Sequence, residues 1–576
     1  MIFDLETDGL LQEATKVHCI VTYDGEGATC YSGAGIEEGI RVLENAELLV
    51  GHNIIGFDLP LLRRLYPAMK LQGQIRDTLI MSRLAHPDIG DADWKRHSAN
   101  PGSIPKALIG RHSLKAWGHR LGLLKDGFGD EVQWASSEFS KEMLDYCIQD
   151  CRVTQALWDK LLEMELPERA VALEHSFAVC LLLQELHGFR FDTPKGEALA
   201  AQLTARRAEL DDALQEAFPP IVEEYETPKR KQKKTRTIVF NPGSRVQIAQ
   251  RFQAKGWEPT AFTPDGRPRI DEAVLKAMPY PEAQILLDSL LVDKRLGQLV
   301  TGNNALLRLV QADQRIHGRQ LHIGAVSSRS SHSRPNLAQI PNLGSAYGKE
   351  FRELFTVPAG NALVGVDLKS AELRVLAGYL SKIDGGQYQD IVLNQDVHQA
   401  NADALGVTRS QAKRAVYCWL YGGSAQLLGE VVGGGAKEGK ALQARWYKKM
   451  PALKTFKQSV LNAAKRGYLY GIDKRKMPVR STHSAVNLLL QGGSAVLTKK
   501  AVVLLHQSLS QRLAYGVEWA MVAQVHDEFQ VEVLTHHAEE VASAAVQAVE
   551  ASSKAFEFPC PMAADSAIGA TWADTH

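Results

Sequence analysis

In Asp4-Leu5-Glu6 two carboxylates stand two residues apart in a short apolar stretch that reads as a strand, so both project from one face. Two acids on one face repel each other unless a cation lies between them. A third acid follows in Asn53-Ile54-Ile55-Gly56-Phe57-Asp58, and a fourth in Tyr146-Cys147-Ile148-Gln149-Asp150, where Tyr146 and Asp150 are one helical turn apart. Hard oxygen ligands suit Mg²⁺ or Mn²⁺, and two such ions about 3.5–4 Å apart can clamp the attacking and leaving oxygens of a phosphodiester. That is nuclease chemistry, although each acid taken singly fits a surface carboxylate or a helix cap as well.

The C-terminal half holds a second set. Val364-Gly365-Val366-Asp367 is an apolar strand ending in an acid, followed by Leu368-Lys369-Ser370-Ala371-Glu372-Leu373-Arg374. Another apolar strand, Val522 to Val525, runs into His526-Asp527-Glu528. Between them Arg409, Lys413, Tyr417 and Tyr421 recur every four residues, which makes one slowly drifting stripe on a helix, cationic at its start and aromatic at its end. The helix dipole disfavours cations near an N-terminus, which points to a task such as gripping a polyanion. The aromatic end of the stripe reads equally as a core face.

The elements that must position these residues follow an α/β pattern in the first ~165 residues. Met1 to Leu5, Cys19 to Tyr23 and Leu48 to Gly51 read as strands and Ser140 to Leu162 as a helix. Glu174 to Leu186 and Gly196 to Phe218 are helical by spacing, and strands return at Ala362 to Val366 and Met521 to Val533. A chain of 576 residues, 45% hydrophobic and 23% charged, has the composition of an ordinary folded protein, with room for roughly three or four domains. Apolar runs such as Ala501 to Leu505 fall short of the roughly 20 residues of a membrane helix, so no membrane span is expected. The acids in the first residues argue against a secretory signal, and seven scattered cysteines suit a reducing compartment. Cys147 and Cys151 have no second Cys or His pair at zinc spacing, so no metal role is expected for them.

Lys plus Arg equals Asp plus Glu at 66 each, but the distribution is uneven. Between Lys437 and Arg480 thirteen basic residues stand against Glu438 and Asp473, interleaved with Trp446, Tyr447, Phe456, Tyr468 and Tyr470. A second basic cluster includes Lys229, Arg230, Lys231, Lys233, Lys234 and Arg236, and the nearby Pro228 and Asn241-Pro242-Gly243 make it read as a loop or hinge. Any one run could be a solvated face. Two runs with interleaved aromatics favour a phosphate-backbone partner.

The ordered acidic motifs of the first domain resemble those of DnaQ-like 3′-to-5′ proofreading exonucleases. The Asp367, Arg409-to-Gly423 and His526-Asp527-Glu528 stretches together resemble motifs A, B and C of family A DNA polymerases, closest to the replicative enzymes of T7-like phages. His112 to Gly118, Phe240 to Arg245, Pro335 to Pro341, Asn487 to Gln491 and Gly569 to Trp572 extend the likeness over nearly the whole chain. It implies an α/β and α+β multidomain fold: an RNase H-like exonuclease domain over 1–165, then a right-hand polymerase. A connecting helix and thumb would cover 166–325, the palm 326–380 and 488–576, and the fingers 381–487.

The resemblance also implies roles. Asp4, Glu6, Asp58 and Asp150 would hold two Mg²⁺, with Tyr146 orienting the attacking water and Glu6 counted with it as catalytic. Asp367, Asp527 and the Leu368 carbonyl would hold two more, with Mn²⁺ able to substitute, Glu528 beside them and Lys413 among the catalytic groups. Arg409, Lys413 and His398 would bind a deoxynucleoside triphosphate, Tyr417 would pack on its sugar and Tyr421 beside the nascent pair, and Glu372 would crowd a ribose 2′-OH. Arg329, Asn487, Gln491 and His526 would contact the primer end or the minor groove, while Lys229, Arg230, Lys231, Lys233 and Lys234 would contact duplex DNA. Primer-template DNA is the implied partner, with a phage helicase-primase as a further one, in the host cytoplasm.

Phe218 to Ile238 holds only a short basic segment where T7-type enzymes carry a long thioredoxin-binding insertion, so thioredoxin is not expected as a partner. The chain begins at the exonuclease strand, so no 5′-nuclease domain is expected. Competing readings are a polymerase with a silent exonuclease site and a non-catalytic primer-template binding protein. Glu372 and the exonuclease motifs argue against a single-subunit RNA polymerase.

Overall fold

Short β-branched and apolar runs cut by turn-forming residues make strands, and the first five of the chain assemble into one sheet. The computed structural model describes residues 1–124, 138–226 and 233–576. The strands β1 (Ile2–Thr7), β2 (Val17–Tyr23), β3 (Ala28–Ser32), β4 (Leu48–Gly51) and β5 (Gln74–Asp77) lie in the order β3-β2-β1-β4-β5. β1 is antiparallel to β2 and parallel to β4, which puts it at the centre. Phe3, Leu5 and Thr7 are buried while Asp4 and Glu6 between them are half-buried, the alternation a period of two demands. Helix α1 (Asp58–Leu65) follows β4, and α2 (Thr78–Ala85) follows β5 directly. Helix α3 (Lys141–Leu162), whose Met143 amide donates to the Ser140 hydroxyl at 3.2 Å, packs on β1 and β2.

Helix α4 (Glu168–His187) leaves this unit and runs into the body of the protein. Beyond it β6 (Ile221–Glu226) and β7 (Lys233–Ile238) pair antiparallel, which for Lys233 to Arg236 corrects the sequence reading of Lys229 to Arg236 as a loop or hinge. From Lys233 onward this segment is a strand. The acidic β6 faces the basic β7, Glu223 lies opposite Arg236 with 2.6 Å between their charged atoms, and such cross-strand pairs stabilise a ribbon. Lys229, Arg230 and Lys231 lie outside the described residues.

The second large sheet is antiparallel. Its strands are β8 (Asn361–Leu368), β9 (Trp519–Val525), β10 (Glu528–Leu534) and β11 (Ala564–Gly569), in the order β9-β10-β8-β11. The apolar run from Met521 to Val533 is therefore two strands, because the chain reverses at His526-Asp527 with Val525 paired to Glu528. Helices α5 (Arg409–Leu420) and α6 (Ala485–Ser510) are inserted between β8 and β9. Contrary to the expectation from composition, the stretch Thr482–Ser510 is long and apolar enough to cross a membrane, yet 83% of its apolar window is buried within the protein. It is a core helix packed against α4.

The contact between α4 and α6 is charged. The buried Glu174 carboxylate accepts from Lys499 Nζ at 2.7 and 2.9 Å, from Arg475 Nη1 at 2.6 Å and from His322 Nδ1 at 2.8 Å. Arg475 in turn grips the buried Asp473 at 2.6 Å, so two acids and two bases cancel. Burial pushes the Lys499 ammonium down to about 8, against the pull of Glu174. Removing one member of such a cluster leaves an uncompensated charge and costs about 3–5 kcal/mol, whereas an exposed pair is worth about 0–1 kcal/mol. Glu174→Gln is therefore expected to lower the unfolding midpoint far more than Arg206→Ala, which breaks the exposed Arg206–Glu209 pair. Thermal melts of the two variants check this, and equal shifts would contradict it.

Candidate functional site

Two groups of carboxylates emerge from these sheets. In the first, β1 presents Asp4 and Glu6, α1 begins at Asp58, and α3 carries Tyr146 and Asp150 one turn apart. Asp58 and Asp150 are 3% and 7% exposed. Burial, and then the negative charge of Asp4, raise the Asp58 carboxyl well above the usual range. A carboxylate so placed takes up a proton or a cation.

The turn that delivers Asp58 is held by Asp77, which sequence reasoning did not single out. Its Oδ1 accepts the amides of Asn53 and Leu79 at 2.9 Å, and its Oδ2 accepts that of Ile55 at 3.0 Å. The signal was present, since Asp-Thr directly before an apolar helix is a capping pattern. The Asp77 amide donates to His175 Nε2 at 2.8 Å, and the ring's Nδ1 lies 2.8 Å from the Val171 carbonyl, which fixes the tautomer.

Cys147 also joins this group. Its Sγ donates to Asp4 Oδ2 at 3.5 Å, and one ligand atom from each of Asp4, Glu6 and Cys147 lies within 4.8 Å of the others. Cys147 therefore lies beside two of the acids named above. Its neighbours come from 143 residues away in the chain rather than from a nearby Cys or His.

In the second group β8 and the β9–β10 turn meet. Asp367 pairs with Glu528 across the ladder, and the Leu368 amide donates to the Asp527 carbonyl at 3.1 Å, so the turn places Asp527 beside the end of β8. His526 in that turn has φ 56°, a left-handed conformation uncommon for a side-chain-bearing residue. Desolvation, then Asp527 and Glu528, raise the Asp367 carboxyl to about 6. Glu528 differs. Burial alone would raise it, but hydrogen bonds with His576 Nδ1 at 2.8 Å and with Trp572 Nε1 bring it below its ordinary value. His576 was missed because no motif at the end of the chain flags it; only the fold brings it to Glu528.

Helix α5 starts in a capping box, with Thr408 and Gln411 exchanging hydrogen bonds. Ala412, Ala415, Val416 and Trp419 face the core, while Arg409 and Lys413 are exposed, Tyr417 half-buried and Tyr421 48% exposed. The stripe thus lies on the more open side, with Tyr417 packed against the edge of the core and Tyr421 exposed. The rings of Tyr417 and Tyr421 are 6.0 Å apart and that of His398 is 6.2 Å from Tyr417. Burial, then Lys413 and Arg409, lower the His398 imidazole, whose Nδ1 is buried without a hydrogen-bond partner among the described residues. Arg409 pairs with Asp396 at 2.7 Å.

Glu372 is 8% exposed and bound to Arg329 Nη2 at 2.9 Å; burial and Asp527 raise its carboxyl. Asn487 and Gln491 are one turn apart on α6, and Asn487 Oδ1 is buried without a partner among the described residues. Arg329 and His526 line one small cavity with Gln524 and Lys499. Lys233 and Lys234 sit on the exposed β7, in neither carboxylate group. Within the 437–480 run, Trp446 and Phe456 are buried core residues and Arg475 is fully paired inside, so the interleaving read from the sequence is only partly a surface pattern.

The family model of DNA polymerase family A matches residues 211–574. The chain is 31% identical to the DNA-directed DNA polymerase of Enterobacteria phage T3 and 31% identical to that of Escherichia phage T7, with all of both chains covered in each case. Each alignment runs over 706 positions against 576 residues here, so both relatives carry segments this chain lacks. Among solved structures, the POL domain of Pol1 from M. smegmatis, in complex with DNA primer-template and dNTP, matches with a TM-score of 0.77 at 18% identity, covering 100% of this chain and 96% of that one.

The raised Asp367 carboxyl has a measurable consequence. Its folded value of about 6 lies above the unfolded ~3.9, so ionisation costs stability above pH about 6, and the cost is gone below pH about 4. If Asp367 is a divalent-ion ligand, the ion has to displace that proton, and Mn²⁺ affinity followed by EPR is then expected to fall between about pH 7.5 and about pH 5.5, with proton release on binding. Affinity that is flat over this range would contradict the assignment.

Proposed function

The chain belongs to DNA polymerase family A, and we propose that it is a phage-type replicative DNA-directed DNA polymerase carrying its own 3′-to-5′ proofreading exonuclease. The observation that carries the polymerase reading is Asp367 and Asp527 brought together by the register of β8 and the β9–β10 turn, close to a cationic and aromatic helix face. The exonuclease reading is supported by Asp4 of the central strand beside Asp58 at the start of α1, with Glu6 on the same strand and Asp150 on the packed helix α3. In this reading 1–165 is the exonuclease domain, 166–325 the connecting helix and thumb, 326–380 and 488–576 the palm, and 381–487 the fingers.

The carboxylates of both groups fit divalent ions, because each group holds one carboxyl that burial, and then a neighbouring acid, raises. Mg²⁺ or Mn²⁺, when bound, supplies charge neutralisation for in-line phosphoryl transfer in both reactions. Asp367, Asp527 and the Leu368 carbonyl would hold it in one site, and Asp4, Glu6, Asp58 and Asp150 in the other. Arg409, Lys413 and His398 bind the triphosphate, and His398 Nδ1 is buried without a hydrogen-bond partner among the described residues. Tyr417 packs on the sugar and Tyr421 beside the new pair. Glu372, held by Arg329, fills the space of a 2′-OH and selects deoxynucleotides. Asn487, Gln491 and His526 read the minor groove at the primer end, where shape is checked without regard to sequence. In the other site Tyr146 orients the water.

The experiment is extension of a 5′-labelled primer with a 3′ mismatch in Mg²⁺, with and without deoxynucleotides. Shortening without nucleotides, and correction followed by extension with them, is the expected result. Asp527→Ala is expected to lose extension and keep shortening, and Asp4→Ala the reverse. Loss of both activities in either folded variant would sink the two-site reading, and extension without correction would leave a polymerase with a silent exonuclease site.

A further inference from the structure

A cavity of about 240 Å³ in the N-terminal unit shares no residue with either carboxylate group. It is lined by His86 at the end of α2, Asp93 and Arg96 of the helix Ile89–Ala99, Trp117 and Arg120 of the helix Leu114–Leu121, and Lys160 in the last turn of α3. From Asp150 to Lys160 α3 rises about 15 Å. Three buried polar atoms of these residues have no hydrogen-bond partner among the described residues: His86 Nε2, Trp117 Nε1 and Arg120 Nη1. They belong together, since the rings of His86 and Trp117 are 5.7 Å apart and Arg120 Cζ stands 4.8 Å from the Trp117 ring centroid. Trp117 is 2% exposed and the Arg120 side chain 6%.

A buried donor without an acceptor is costly, and indole and guanidinium nitrogens can only donate. Asp93 is the one acid lining the cavity, and its carboxylate is already taken by Arg120 Nε and Nη2 at 3.0 and 2.7 Å and by the Gly110 amide at 2.9 Å. Arg96 and Lys160 add two exposed cations that have no ion pair among the described residues. Cations at helix C-termini answer the helix dipoles, so the charges alone would say little. The unpartnered donors say more. About eight waters at ~30 Å³ each would fill the space and satisfy the donors, but not the charge. A phosphate answers both through charge-assisted hydrogen bonds. Ile89, Leu121 and the Trp117 ring leave an apolar wall suited to an organic body carried on that phosphate.

We propose that this cavity is a phosphate site, taking the dianion free or as the 5′-phosphate of a nucleoside monophosphate. Its oxygens accept from Trp117 Nε1, Arg120 Nη1 and His86 in its Nε2–H tautomer, while Arg96 and Lys160 supply the opposite charge. Binding there needs no divalent ion and does not rest on either proposed activity.

The test uses the full-length protein in EDTA at constant ionic strength, with its indole nitrogens isotope-labelled for NMR. Of the nine tryptophan signals, that of Trp117 is the one missing in Trp117→Phe. Inorganic phosphate and thymidine 5′-monophosphate are each expected to move it saturably, and thymidine to leave it in place. In the double variant Arg96→Gln with Lys160→Gln, at two exposed positions, the midpoint should rise at least about tenfold. In Asp4→Ala and in Lys413→Gln it should stay. A midpoint at least about tenfold lower for the nucleotide than for phosphate supports the site and makes a nucleotide its ligand; equal midpoints support it and make free phosphate the ligand. No movement with either, movement with thymidine at the nucleotide's midpoint, or a midpoint unchanged in the double variant overturns the site. Should Trp117→Phe not fold, equilibrium dialysis of radiolabelled phosphate decides instead: the double variant is expected to lose one equivalent of bound phosphate, and equal binding overturns the site.

Discussion

A carboxylate cut off from water survives as an anion only where cations replace the solvent, and Glu174 is such a group. Its partners come from three separate places: Lys499 from α6, Arg475 from the segment before it, and His322 from the chain leading to β8. The next residue on α4, His175, receives the Asp77 amide, and Asp77 shapes the turn that ends in Asp58. One helical turn of α4 therefore ties the frame of the first carboxylate group to the helix that carries Asn487 and Gln491. The cancellation of two acids by two bases makes this junction specific: another register of α4 against α6 would strand a charge.

The two carboxylate groups obey one rule through different elements. Acids that repel are held together by backbone that cannot relax them apart. In the first group the rigidity comes from a central strand and from a turn fixed by Asp77; in the second it comes from a tight turn with His526 at φ 56° and a strand end leading to Ser370 at φ 46°. Such conformations cost about 1–3 kcal/mol each and persist where the surrounding ladder over-determines them. The ladder here pairs β8 on both sides, with β10 and β11.

Most of what could be read in the sequence was local. Period-two acids in Asp4-Leu5-Glu6, the four-residue stripe on α5 and the strand leading to Asp367 depend on spacing alone, and the structure has them where spacing puts them. Signals that failed depended on distant partners. Nothing near Cys147 in the chain announces Asp4, nothing near His576 announces Glu528, and the acidic β6 gives Lys233 to Arg236 a strand partner that a charge run alone does not reveal. The buried Arg475 shows the same limit, since a count of charges cannot separate a cation offered to solvent from one consumed inside the protein.

That separation matters for how a chain with equal numbers of acids and bases can meet a polyanion. In the 437–480 run Arg475 is used up by Asp473 and Glu174, and Arg480 is bound to Asp91 at 2.7 Å. Lys437, Lys440, Lys448, Lys449 and Lys454 stay exposed on the helices of that region. On α5, Arg409 is shared with Asp396, while Lys413 stands exposed one turn further on, next to the imidazole of His398. Internal pairing thus absorbs part of the positive charge into stability and leaves Lys413 and these lysines exposed. A phosphate there meets a local field that the net charge of zero conceals.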